Sequence, residues 1–273
     1  MKKVILPVLA LLLLISCAEK SYVIVQVADA QLGFTAADKS QKEGTEYVND
    51  LTYESECLSR AVAMINGLMP DAVVFTGDQV NSSGNDEQWE IFAGIISDID
   101  PSVKVFHIPG NHDVHINGNK VDSSPFTGRY GEDRFIHSDR GVNLVGINTN
   151  LIKAGDTRAE DQIDWLKDVL GATKPEESTI IFGHHPFFLT DIDEPDSYFP
   201  LMKDKRRFYF DMFSELGVDA VYAGHRHDSF QGEYNGIPMK TTTSVGFQIG
   251  NSKPSIRVIT VIDGTVSDTL LTL

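Results

Sequence analysis

VKVFHIPGNHD, residues Val103 to Asp113, begins as an apolar, β-rich run and ends in an amide, an imidazole and a carboxylate side by side. Val103–Ile108 has the composition of a buried strand. Pro109 and Gly110 stop it, and Asn111, His112 and Asp113 follow at once. Such groups are costly to bury without partners, so a surface turn would account for one such cluster alone. The form recurs, however, in VIVQVADAQ (Val23–Gln31), AVVFTGDQV (Ala72–Val80), TIIFGHHP (Thr179–Pro186) and DAVYAGHRH (Asp219–His227). Five apolar runs therefore end in polar residues of metal-ligand type.

Strands are expected at Tyr22–Val27, Ala72–Thr76, Val103–Ile108, Val142–Asn148, Ser178–Phe182 and Val218–Tyr222. Helical spacing fills the intervals at Thr52–Leu68, Glu87–Asp98, Arg158–Leu170 and Arg206–Leu216. Near the C-terminus four short strands read as a meander, at Phe230–Tyr234, Ile237–Thr242, Ile256–Ile262 and Thr265–Leu271. Asn235-Gly236 and Asp263-Gly264 supply its hairpin turns. Strand–helix alternation followed by a meander predicts an α/β fold: two sheets packed face to face with helices outside, an αββα sandwich over residues 22–273. No repeat or linker divides it. Open α/β sheets bind ligands beyond the C-terminal ends of their strands, where all five clusters fall.

The opening MKKVILPVLALLLLISC has a positive n-region, an apolar h-region and small residues before Cys17, the pattern of a cleaved signal peptide over residues 1–16. It resembles a bacterial lipobox, which predicts an exported cell-envelope lipoprotein held to a membrane by lipid on Cys17. Cys57 is the other cysteine, so the mature chain has no internal disulfide; its helical spacing with Leu58, Ala61 and Ile65 marks it as core. Losing residues 1–16, with two lysines and no acid, takes the formal charge from −16 to −18. Such acidity disfavours nucleic acid as a partner and requires a local positive centre for any anionic substrate.

A bound metal would be such a centre. Gly77, Gly110, Gly183 and Gly224 precede the polar residues, where the chain must turn sharply beside an ion. Asp29 and Gln31, like His225 and His227, are two apart and share a side if the chain stays extended. With Asp78, Asn111 and one histidine of the His184-His185 pair they make seven ligating side chains, more than one ion uses but suited to two ions with a bridging carboxylate.

The blocks DAQ, GDQV, GNHD, GHHP and GHRH, in this order over residues 29–227, resemble the five blocks of the calcineurin-like metallophosphoesterases. DIDEPDSYF after GHHP and SVGFQIG after GHRH are most similar to the animal branch that acts as Ser/Thr phosphatases. The resemblance implies that Asp29, Gln31 and His227 hold a first metal, that Asn111, His184 and His225 hold a second, and that Asp78 bridges them. It implies His112 as general acid or charge stabiliser, and hydrolysis of a phosphate ester by a metal-bridging hydroxide without a covalent intermediate.

Gln31, where many members have histidine, offers oxygen in place of nitrogen and favours Mn²⁺ or Mg²⁺, with Fe or Zn as alternatives. GDQVNSSG lacks the Asp and Arg of the GDxxDRG block of calcineurin-type protein phosphatases. The expected activity is that of a phosphomonoesterase on a phosphoprotein or a small phosphorylated metabolite. The alternatives are a phosphodiesterase or nucleotide pyrophosphatase and, in another class, a non-catalytic binding module. His185, Arg226 and Tyr198 are candidate substrate contacts; His107 reads as structural, and His115 follows the GNHD block on a loop. Asp113 is either an orienting carboxylate or a loop cap.

Overall fold

The computed structural model describes residues 21–273, which run β1 (Ser21–Val27), α1 (Phe34–Glu43), α2 (Thr52–Leu68), β2 (Ala72–Thr76), α3 (Asp86–Ile96) and β3 (Lys104–Ile108). A small hairpin follows, β4 (His115–Asn117) and β5 (Lys120–Asp122), then α4 (Ser124–Tyr130), β6 (Phe135–Asp139), β7 (Val142–Gly146), α5 (Thr149–Ala154), α6 (Arg158–Gly171) and β8 (Ser178–Phe182). The chain closes with α7 (Lys203–Glu215), β9 (Ala220–Ala223), β10 (Gln231–Tyr234), β11 (Ile237–Thr241), β12 (Ser255–Ile262) and β13 (Thr265–Thr272). One sheet has the order β13-β12-β1-β2-β3, the other β10-β11-β9-β8-β7-β6.

Strand alternation explains how the layers stack. In β1 and β2, Tyr22, Ile24, Ala72 and Val74 point toward the second sheet and meet Leu144, Ile180, Phe182 and Tyr222. Their neighbours Val25, Val27, Val73 and Phe75 point outward onto α2 and α3, through Leu58, Ala61, Ile65 and Phe92. On the far side, Val145, Ile181 and Val221 pack under Leu166 and Leu170 of α6 and Phe210 and Phe213 of α7. The result is the expected αββα sandwich. No helix among the described residues is long and apolar enough to cross a membrane. Residues 1–16 and Cys17 lie outside the described residues.

The four C-terminal strands depart from the expected meander. β10 and β11 pair as a hairpin at the edge of the six-stranded sheet, with β11 parallel to β9. β12 and β13 form a second hairpin in the other sheet, with β12 antiparallel to β1. Turn residues specify each hairpin, but only long-range pairing decides which sheet it joins.

A polar seam ties the sheets together behind the strand ends. Gln26 Nε2 donates to Thr76 Oγ1 (3.0 Å) and to the Ala223 carbonyl (3.1 Å), and Gln26 Oε1 accepts from Thr242. Arg257 donates to Thr242 Oγ1 (2.7 Å) and pairs with Asp268, which also accepts from Lys240 and the Tyr222 hydroxyl. Every group in this seam that is removed from water has a partner, as burial requires.

Candidate metal centre

The seven expected ligands come from five strand ends: Asp29 and Gln31 after β1, Asp78 after β2, Asn111 after β3, His184 after β8, and His225 and His227 after β9. The loops after β1 and β2 run side by side, with Asp29 N donating to Gly77 O (3.2 Å) and Gln31 N to Asp78 O (2.7 Å). Their backbones are unusual. Asp29, Gln31, Asp78, His225 and His227 all have positive φ, between 41° and 66°, a region that L-residues seldom adopt. The left-handed turn re-aims each side chain at a point where extended strands would diverge. Gly110 shows how tight the approach is: a Cβ there would collide with the backbone nitrogen and Oδ1 of Asp78.

Two groups of ligand atoms converge, each within 4.8 Å: Asp78 with His184 and His225, and Asp29 with Asp78 and His227. Asp78 belongs to both. His184 Nε2 lies 3.3 Å from Asp78 Oδ2 and 3.0 Å from Asn111 Oδ1, and His227 Nε2 lies 3.4 Å from Asp29 Oδ1. Backbone carbonyls fix the tautomers of these imidazoles. His184 Nδ1 donates to Thr76 O (2.9 Å) and His227 Nδ1 to Phe247 O (2.6 Å), so each Nε2 faces the centre.

The residues fit divalent cations by a test internal to the structure. Gln31 Oε1 and His225 Nε2 are buried with no hydrogen-bond partner, an expensive state unless something else satisfies them. The electrostatics agree. Burial alone would lower the basicity of His184, yet the Asp78 and Asp29 carboxylates beside it lift its pKa to about 9. Asp78 resists the upward push of burial, held well below the usual carboxylate range by His184 and His112. Burial, and then the charge on His184, drive His225 well below the ordinary imidazole value. A buried centre rich in lone pairs and negative charge is one that a cation completes.

His112 stands beside this centre. Its backbone N–H donates to Asp78 Oδ1 (2.8 Å), and its ring Nδ1 donates to the carbonyl of Asn81 (2.8 Å). The backbone of residue 81 thus orients the ring, where the GDxxDRG block would supply an Asp side chain. Asp113 is neither of the things expected of it. It is buried, and it accepts from Gln79 N (2.9 Å), Val80 N (3.2 Å) and Gly110 N (2.8 Å), stapling the second block to the third.

The remaining expectations divide. His185 is only 3% exposed, lies 3.2 Å from Thr149 Oγ1, and packs its ring at a tilt against that of His225, with centroids 4.3 Å apart. Tyr198 is 67% exposed, with its ring 5.3 Å from His225. Its loop is firmly held: Lys153 Nζ donates to the carbonyls of Ser197, Tyr198 and Pro200, and buried Arg206 to those of Leu201 and Glu194. The Arg226 guanidinium lies over the rings of Phe199 (4.4 Å) and Phe230 (5.1 Å). His107 is structural, stacked on Phe75 (4.9 Å) and Tyr130 (4.1 Å), and His115 bonds to Ser83 Oγ (3.0 Å).

Two contributors escaped the sequence reading. Thr149 Oγ1 accepts from His184 N (3.2 Å) and His185 N (2.9 Å), and Asn150 Nδ2 donates to the carbonyls of Pro109 and Gly110. The signal was present: Asn148-Thr149-Asn150 follows an apolar strand, just as the five ligand clusters do.

The family model for calcineurin-like phosphoesterases matches residues 22–229. Among curated proteins, the Danio rerio serine/threonine-protein phosphatase CPPED1 is 27% identical over 256 residues, covering 89% of this chain and 82% of that one. A probable cyclic nucleotide phosphodiesterase of Rhodococcus erythropolis is 29% identical over 218 residues, covering 75% and 66%. Among solved structures, a purple acid phosphatase from yellow lupin (Lupinus luteus) seeds superposes with a TM-score of 0.67 at 14% identity. That match covers 92% of this chain and 52% of the lupin chain.

Proposed function

The chain belongs to the calcineurin-like phosphoesterase family, a phosphoric ester hydrolase by that membership, and on that premise we propose a phosphomonoesterase that works with two divalent metal ions. The observation that carries the proposal is the sharing of Asp78 between two converging groups, with Gln31 Oε1 and His225 Nε2 buried and unpartnered beside them. Asp29, Gln31, Asp78 and His227 would hold one ion; Asp78, Asn111, His184 and His225 the other. The oxygen-rich first set favours Mn²⁺ or Mg²⁺. When bound, the two ions would supply charge neutralisation for the phosphoryl oxygens and a water acidic enough to attack at neutral pH.

The chain's own residues do the rest. Thr76, Phe247 and Asn81 hold three imidazoles through their carbonyls, which removes the freedom of those rings to turn away. His112, with Nδ1 committed to Asn81, presents Nε2 outward. From that atom it would donate a proton to the departing alkoxide, a general-acid role open to an imidazole within hydrogen-bond reach of the leaving oxygen. Tyr198 would contact the ester from the His225 side of the cleft.

The test compares p-nitrophenyl phosphate, its bis-ester and ADP-ribose, with Mn²⁺ or Mg²⁺, for wild type and Asp78→Asn. The monoester should be preferred, and Asp78→Asn should lose both turnover and the rise in Tm that Mn²⁺ brings. Preference for the bis-ester would select the second reading, a phosphodiesterase, which the Rhodococcus relative's name supports. A wild type that binds Mn²⁺ and hydrolyses none of them would select a non-catalytic binding module.

Localisation is a separate proposal: residues 1–16 would be removed and Cys17 would carry a lipid at the cell envelope. Cys17→Ala should move the protein to the soluble fraction; a variant that stays membrane-bound refutes the anchor.

A further inference from the structure

Arg226 separates two candidate ligands, His225 and His227, yet no carboxylate among the described residues pairs with its charge. Ion pairs engage Arg129, Arg158, Arg206 and Arg257, but not Arg226, among the described residues. Nη1 is buried without a hydrogen-bond partner. The nearest acid along the chain, Asp228, is turned toward Ser229 N and Ser252 Oγ. Arg60 and Arg134 also lack a carboxylate among the described residues, but only Arg226 among those arginines combines that with a buried, unpartnered nitrogen, which an anionic partner would satisfy.

What the fold does provide is a clamp. Phe199 and Phe230 lie against the guanidinium, offering cation–π attraction while leaving the in-plane N–H groups free. Phe199 also packs on the His225 ring at 5.6 Å, so the guanidinium sits one phenyl ring away from the metal centre. The segment that carries Phe199 is the one Lys153 and Arg206 secure. A rigid, planar, unpaired cation beside a phosphoryl site is pre-organised for an anion.

We infer that Arg226 binds a second anionic group of the substrate, a carboxylate or another phosphoryl, while the reacting phosphoryl occupies the metal centre. This rests on the reading of that centre given above. The substrate class is therefore a phosphoester whose alcohol portion carries a negative charge about one ring's width from phosphorus.

Binding of stable analogues tests this without turnover, since a C–P bond is not hydrolysed. Phenylphosphonate and 4-carboxyphenylphosphonate are titrated by calorimetry into the Mn²⁺-loaded protein and into Arg226→Met and Arg226→Lys. The carboxylated probe should bind wild type about tenfold more tightly, as a charge-assisted bidentate contact would give. Arg226→Met should abolish that preference and Arg226→Lys should keep part of it, with both variants melting as wild type does. Should Arg226→Met not fold, Arg226→Gln is read in its place. A preference that survives the loss of the guanidinium, or that is absent from wild type, overturns the assignment of Arg226 alone. Absence of Mn²⁺-dependent binding of either probe overturns the metal-centre reading as well.

Discussion

Apart from helix C-caps such as Met69, the chain turns left-handed both at hairpin tips and in the interior. At the hairpin tips Arg140, Asn235 and Asp263 have φ near 50°, and each precedes a glycine that is also at positive φ. Asp29, Gln31, Asp78, His225 and His227 adopt the same conformation in the interior, none with a following glycine. At the tips the conformation is written locally, because Asn-Gly and Asp-Gly suit tight hairpin turns. Inside, nothing local asks for it; each such residue costs roughly 1–3 kcal/mol, and the bonds that compensate come from distant parts of the chain. His225 N donates to the Asp29 carboxylate, 196 residues away, and Ser244 Oγ donates to Asp29 O (2.6 Å). The hairpin turns are specified by their own residues; the left-handed turns of the metal centre are held by groups from distant parts of the chain.

The contrast can be broken most sharply at Asp113. Asp113→Ala orphans three buried N–H groups and should lower unfolding stability by roughly 3–5 kcal/mol, read from urea midpoints, together with the Mn²⁺-induced rise in Tm. Gly110→Ala should come next. Its methyl group would push Asp78 from its place, and a displacement of about 1 Å costs on the order of a hundredfold in turnover; an alanine variant within threefold of wild type would show the approach to be slack. Gly264→Ala is the matching change at a hairpin tip, where φ is 79° but the space is open. It should cost only about 1 kcal/mol, through φ alone, with turnover untouched.

Between these extremes lies His107, which separates scaffold from site by its response to acid. Burial pushes its pKa down to about 3, so the folded state holds the ring neutral, while the unfolded chain takes up the proton near pH 6.5. The stability tied to the neutral ring is complete above pH 6.5 and falls as pH drops toward 3, by up to about 1.4 kcal/mol per pH unit. His107→Phe should therefore show a smaller loss of Tm between pH 7 and pH 5 than wild type. Equal slopes would place the acid sensitivity elsewhere.

The sequence carried most of the site because of where sheets put their ligands. An apolar run that stops abruptly at Gly-Asp or Gly-Asn-His identifies both the strand and the residue beyond it, and α2 was legible to the residue from its apolar stripe. α1 was not: FTAADKSQKE buries no residue, so no apolar periodicity marks it. β6, a five-residue strand at a sheet edge, has too little apolar alternation to stand out. The division of the last four strands between two sheets, and the use of Asp113 as a staple, depend on contacts that no local pattern encodes.

The carbonyl of Asn81 that steadies His112 has a genetic consequence. A backbone oxygen is present whatever side chain stands there, so position 81 can vary, proline excepted, without unseating the His112 ring. The vulnerability moves instead to Gln88, whose Oε1 accepts from Asn81 N (3.1 Å) and Ser82 N (2.9 Å) and keeps that carbonyl aimed. A mutational scan of this enzyme should find residue 81 permissive and Gln88, on a helix outside the cleft, intolerant.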